Sequence, residues 1–410
     1  MTSAFTIDAA TGLPGPDWLR ERRRGAAERF VVAELPTAEE EVWRYSRIGD
    51  LTLDAYSPSP RIDEVPAEAG AILRSVGDEP VVVTVGGHAV RTQLGDSPLV
   101  AIEDAGVLGD ALGETDDALT ALHDAFADPV QIRVPEGTDG GRLYVVHHLG
   151  GDGAAAFPRL IVHAAAGSQV TVVEVFVGPD DQRVLSVPVT ELVADRDATL
   201  RHASVQILGD AAWQIGRVAA TVGQNATLTS GTAAFGGDYC RLRADTTLAG
   251  RGSHGDLFAG YFGTGTQLLD FRTFQDHVAP DTTSNLLFKG ALGEKGASVY
   301  TGLIKIRPDA RNAQAFQTNR NVKLSEDAWA ESVPNLEIEN NQVQCSHAST
   351  VGPVDPEQRF YLESRGVPTG RAERLIVKGV FDEIIRALPF LALEDVVRDR
   401  LDRDLERSLP

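Results

Sequence analysis

The sequence predicts a mainly β chain wound from stacked coils, with a mixed α/β region before the coils and a helical region after them. Three observations lead there. From about residue 156 to 345, short alternating runs rich in β-branched residues follow one another with no helix-length period between them: QVTVVEVFV, ATLRHASVQI, AWQIGRVAATV and ASVYTGLIKI. Turn signals such as Ala166-Gly167, Asp180-Asp181, Arg196-Asp197 and Gly209-Asp210 recur roughly every 12 to 17 residues, so two spans make one coil of roughly 28 residues. Small residues are abundant, with 40 glycines against 6% aromatics, as closely stacked coils require. An antiparallel sandwich with hairpins of the same length shares this local pattern. The fixed spacing favours the β-helix.

The bulk numbers bound the function. A chain of 410 residues suits two or three domains unless it is elongated. Its 42% hydrophobic and 24% charged content is that of a soluble globular protein. A net charge of −21, spread along the chain, repels phosphate backbones, so no nucleic-acid partner is expected. Only Cys240 and Cys345 are present, too few for a disulfide framework. No basic region followed by an apolar run opens the chain, and no run of about 18 apolar residues occurs, so neither export nor membrane insertion is expected. A reducing cytoplasm follows, where thiols stay available for metal or sulfur chemistry.

Taken in order, residues 1–155 read as the mixed α/β region. Pro16–Val32 forms a helix opened by Pro16 or Asp17, and its Arg22-Arg23-Arg24 run reads as a solvated face. WRYSRI, Trp43–Ile48, follows as a loop or short strand. Strands are expected over Val81–Val90 and Val130–Val146, with an amphipathic helix from Asp110 to Phe126 between them. Residues 156–350 make the coiled core and 351–410 the helical end. There Asp355-Pro356 caps a first helix that stops at Gly366. Thr369–Leu388 then puts Leu375, Ile376, Val380, Ile384 and Leu388 on one stripe, and a charged helix covers Leu391–Leu409. Covering the exposed end coil is the default role for such a tail.

The chemistry narrows to VQCSHASTVG, Val343–Gly352. Alternate residues of a strand share a face, so Cys345 and His347 offer a thiolate and an imidazole to one site. The plainer reading makes Cys345 a small core hydrophobe and His347 a hydrogen-bonding residue. His147-His148, being adjacent, face opposite ways and chelate poorly. His163, His202, His254 and His277 stand isolated and read as structural. GEKGAS at Gly293 has its lysine and glycines in the wrong order for a phosphate loop, so ATP hydrolysis by this chain is not expected. No G-x-S-x-G, H-E-x-x-H, C-x-x-C or dinucleotide fingerprint occurs.

Longer stretches carry a resemblance. KGAL at Lys289, VYTGLIKI at Val299, AQAFQTNRNVKLSEDA from Ala313, PNLEIENNQVQCSHASTVG from Pro334 and FYLESRGVP from Phe360 resemble the SufB/SufD family of iron–sulfur cluster assembly proteins, most of all its SufD branch. WRYS at Trp43 and DHVAPDTTSNLLFKG at Asp276 also fit, while residues 50–150 carry little of the pattern. The resemblance implies a right-handed parallel β-helix core. It implies a non-ATPase scaffold in a complex of one SufB, one SufD and two copies of the SufC ATPase, with homodimers through the same β-helix surface as the other assembly. SufB and SufD would pair through their β-helices, around a transient iron–sulfur cluster. SufC would seat on the neighbourhood of residues 355–400, here Arg371, Leu375, Ile376 and Phe381. The resemblance locates no flavin site on this chain and puts any flavin of the complex chiefly on SufB.

Two departures separate the branches. SufB-like chains carry a cysteine in a CDS motif about where QTNRN places Asn319, and a His-Glu pair where this chain has Ser346-His347. The resemblance therefore makes His347 the metal or cluster ligand at the interface, with Cys345 the weaker candidate. One rival reading is a purely structural partner with inert Cys and His. The other is a β-helix carbohydrate-active enzyme, which the few aromatics disfavour.

Overall fold

The structure, a computed structural model, describes residues 4–113 and 117–409. Strands make up 42% of it and helices 24%, and the strands wind a parallel solenoid of about 8 turns. One sheet runs from Asp128–Val134 to Trp329–Ile338 and the other from Asp139–His148 to Val343–Pro353, each coil giving one strand to each. Pairing along both is parallel, which excludes the antiparallel sandwich. Leu268 lies beside Ala297 and Ala297 beside Trp329, steps of 29 and 32 residues.

The repeat comes from the turns. Gly167, Asp197, Asn225, Gly252, Asp281 and Asn312 all have φ between 54° and 71°, one such residue per coil at the same corner. That left-handed backbone is open to Gly and tolerated by Asn and Asp, whose short side chains bond locally. Here they bond along the column: Asn225 Nδ2 donates to Asp197 Oδ1 at 3.1 Å and Asn312 Nδ2 to Asp281 Oδ1 at 2.9 Å.

Inside the solenoid, one apolar layer packs Leu192, Leu200, Leu228 and Val222. A second packs Tyr261 against Phe271, Phe271 edge-to-face against Phe288, and Phe288 against Tyr300, with ring centroids 4.5, 5.7 and 5.3 Å apart. Outside, the terminal regions cover the two sheets. Helices α1 (Ile7–Thr11) and α2 (Asp17–Val32) and the segment 43–56 pack on the first sheet through Trp43, Ile48 and Leu53 against Trp213, Tyr239 and Val299. The Arg241 guanidinium stacks 3.9 Å above the Trp43 ring and donates to the Val42 carbonyl at 2.6 Å, fastening this segment. Helix α3 (Ala67–Val76) lies on the second sheet near its start. Helix α4 (Ala118–Phe126) joins the first group.

At the C-terminus come α5 (Pro356–Ser364), α6 (Thr369–Ala387) and α7 (Glu394–Ser408). Asp355 caps α5, accepting from the Glu357 and Gln358 amides. Phe381, Ile384 and Leu388 pack against Phe235, Phe262 and Ala291, and Lys289 reaches Glu383.

Several expectations change. The tail lies along the flank of the solenoid instead of over its end coil, because the outer face of the second sheet offers Phe235, Phe262 and Ala291 while the end coil offers mostly polar positions. The stripe of α6 is turned accordingly: Ala372, Val377, Phe381, Ile384 and Ile385 are buried, whereas Leu375 is 46% exposed. The helix expected from Asp110 begins at Ala118, where Asp117 caps it; residues 114–116 lie outside the described residues. Trp43–Ile48 is neither a strand nor plain loop, since short 3-10 turns at Glu41–Trp43 and Ile48–Asp50 bracket it. We propose the three-way division at residues 155 and 350 as one of sequence texture, since both sheets continue across residue 155. Among the described residues no helix is long and apolar enough to cross a membrane.

Candidate functional site at the open end of the solenoid

The last coil consists of Trp329–Ile338 and Val343–Pro353, and among the described residues neither strand has a partner on its far side. Cys345 lies beside Ala315, His347 beside Gln317 and Ser349 beside Asn319. Those three neighbours are 0%, 2% and 1% exposed, so they face the lumen. Side chains in register on parallel strands share a face. Cys345 and His347 therefore both stand on the inner wall, as their spacing predicts. His347 is exposed and Cys345 half-buried only because no further coil lies above them. On the facing wall Ser332 continues the column of Tyr300, and Leu336 that of Ile304.

One coil down, the lumen closes on a polar floor. Asn319 Nδ2 donates to the Tyr261 hydroxyl at 3.0 Å, that hydroxyl to Asn321 Oδ1 at 2.7 Å, and Asn321 Nδ2 to Asn319 Oδ1 at 2.9 Å. Gln317 completes the floor across from Gly302. A Cβ at residue 302 would sit 2.4 Å from the Gln317 Nε2 and 2.3 Å from the Tyr300 hydroxyl, so only glycine admits the amide there. Both polar atoms of the Gln317 side chain, and the Ser332 hydroxyl, lack a hydrogen-bond partner among the described residues. Beneath the floor the ring stack fills the interior.

The two thiols differ in what they can do. Burial pushes Cys240 up to about 12, with Asp270 adding to it, so it is an inert core group. Burial also raises Cys345, though it reaches solvent. Its thiolate needs a bound cation to form readily near neutral pH. Among the described residues no group of three or more His, Cys, Asp or Glu side chains is arranged to hold a metal ion. The mouth thus offers two soft donors on one wall and leaves the remaining coordination to another source.

The other histidines are engaged within the fold. His147 and His148 face opposite ways, as adjacency dictates: His147 Nε2 bonds Glu174 at 3.1 Å inside, while His148 turns to Glu68 of α3 at 3.3 Å. His202 Nε2 bonds the second Glu174 oxygen at 2.8 Å. Burial drives Glu174 up, but the bonds from His147 and His202 outweigh it and hold the carboxyl at about 2. The sequence did not reveal this buried triad; its three members share no motif. His163 pairs with Asp195, His254 with Asp256, and His277 with the Thr282 and Ser284 hydroxyls.

The residues expected to dock a partner divide. Arg371 and Leu375 are exposed on α6 and Ile376 is partly covered. Phe381 is 1% exposed, with its ring 6.2 Å from Phe235, so it anchors α6 instead of facing outward. Missed at that surface were Phe360 and Tyr361 of α5, 70% and 58% exposed.

The profile of the SUF system FeS cluster assembly SufBD core domain matches residues 147–380, which cover the solenoid after its first coil and reach α6. An iron–sulfur cluster assembly SufBD family protein of Mycobacterium tuberculosis is 39% identical over 227 residues, 53% of this chain and 56% of that protein. The chain thus matches little more than half the length of that relative. Two proteins named iron–sulfur cluster assembly protein SufD align nearly throughout. That of Bacillus subtilis is 25% identical over 96% of this chain and 94% of its own length. That of Escherichia coli is 26% identical over 92% and 91%. With more than half of its length matched by the core-domain profile, the chain belongs to the SufB/SufD family, and its resemblance is to the SufD branch.

Proposed function

We propose that this chain is a non-ATPase, SufD-like scaffold subunit for iron–sulfur cluster assembly in the cytoplasm, working with a SufB-like subunit and a SufC-like ATPase. The observation that carries the reading is Cys345 and His347 side by side on the inner wall of an unpaired end coil. Bare strand edges recruit another strand. A second β-helix docked on Val343–Pro353 would complete both the sheet and the ligand set that this chain leaves at two donors. His347 is the metal-entry or cluster ligand and Cys345 an accessory donor. An imidazole in place of a thiolate lessens the negative charge on a cluster and raises its potential, which suits a site that must release its cargo. The exposed face of α5 and α6, with Arg371, Leu375, Ile376 and the rings of Phe360 and Tyr361, is the seat for the ATPase.

The test is His347→Ala in cells that depend on this chain. Complex assembly should remain intact while cluster formation on client proteins falls at least tenfold. Full cluster yield would leave the chain a purely structural partner.

A further inference from the structure

We propose that Gln317 is a positioning residue for His347, its amide fixing which ring nitrogen the imidazole turns outward. The inference rests on the reading of His347 as a ligand. It starts from an anomaly in the floor of the mouth. Gln317 is 2% exposed, yet its Nε2 and Oε1 both lack a partner. The other long polar side chains of that floor, Asn319 and Asn321, are bonded to each other and to Tyr261. Buried amides without partners are costly and mark places where something else completes the bonding.

The register names what stands next to it. Gln317 and His347 are direct neighbours on adjacent parallel strands, and the column continues below as Leu286, Leu257 and Ser230. Leu286 and Leu257, both 3% exposed, cannot bond the amide, so the polar neighbour in the column is above it. Stacked side chains on in-register strands lie about 4.8 Å apart, the spacing at which amide ladders hydrogen-bond. In the structure the two side chains stop short of a hydrogen bond; turned inward, the exposed imidazole donates one ring N–H to the Gln317 carbonyl and leaves the other, unprotonated nitrogen for a metal. Histidine ligands are oriented in this way by a partner on their second nitrogen. The Nε2 end of the amide lies tight against Gly302, which leaves the unpartnered Oε1 as the acceptor for that ring N–H.

The test reads the imidazole directly. Full-length chain labelled with 15N-histidine, with His347→Ala assigning the signal, should show His347 in a single tautomer. Gln317→Leu should convert it to a mixture, shifting the tautomer ratio at least threefold, with the spectra of the other histidines unchanged. Gln317→Asn, one methylene shorter, should do the same in a side chain that stays polar and guards against misfolding of the leucine variant. Gln317→Glu, which keeps an acceptor at the same reach, should restore a single tautomer. An unchanged ratio in both the Leu and Asn variants overturns the proposal. Because this readout needs no cluster, it fails separately from the functional reading: normal cluster yield in His347→Ala sinks that reading alone.

Discussion

The two ends of the solenoid are built differently. At the start, His88–Gln93 and Val100–Ala101 turn back antiparallel onto the two sheets. The segment between them lays Leu94 and Leu99 onto the interior cluster, and Leu99 is 5% exposed. At the far end both strands stop bare, Ile338 is 45% exposed and the inner wall carries Cys345 and His347. The contrast teaches that an end coil can be closed from its own chain, and that this chain closes only one. Unpaired edges are normally blunted because they invite association. On the function proposed above, an end left open, with its helical tail moved to the flank, is kept for a partner.

Stability should divide the ends most sharply. Leu99→Ala at the closed end should cost about 2–4 kcal/mol by urea unfolding, since it empties a packed interior position. Leu336→Ala at the open end should cost less than about 1 kcal/mol, because its site is already partly solvated. Equal losses would mean that the far coil is sealed.

Acid should attack the interior before the mouth. Burial lowers His277 to about 4 against an ordinary 6.5, with Asp276 opposing. Folding therefore favours its neutral form. The stability this gives is complete above pH 6.5 and drains away as pH falls through 4, about 3 kcal/mol in all. Stability curves for His277→Gln should lose correspondingly less between pH 6.5 and 4; a curve parallel to wild type would remove His277 from the acid transition.

Association should respond to the open edge alone. Lysines at Ser346 and Ala348, both exposed on Val343–Pro353, should weaken binding of a SufB-like partner about tenfold or more in sedimentation experiments while the midpoint of unfolding stays put. Unaltered association would move the interface elsewhere. Last and smallest, a thiol reagent should label Cys345 in the native chain and Cys240 only after unfolding. Two thiols reacting at once would contradict the buried, inert Cys240.

Much of the fold was legible because turns and alternation are local. Asp281 and Asn312 mark corners that need left-handed backbone, and β-branched runs between such turns mark strands, so the winding into coils could be read without coordinates. The direction of the ladder could not be read this way, since a hairpin and a coil of equal length look alike over one repeat. Nor could the direction of α6: its helical period was plain, yet Phe381 turned inward and Leu375 outward because the sheet face, not the helix, decides which stripe is covered.

The site divides along the same line. Sequence alone determined that Cys345 and His347 share a face, because alternation on a strand is a property of two residues and the backbone between them. What lies under His347 belonged to the tertiary structure. A 28-residue repeat would put Asn319 there, whereas the pairing puts Gln317 there, 30 residues back, since coil length is fixed by turns that vary from one coil to the next. Whether the wall bearing these groups is open or closed depends on where a tail some 30 residues further on comes to rest, and only packing against Phe235 and Phe262 settled that.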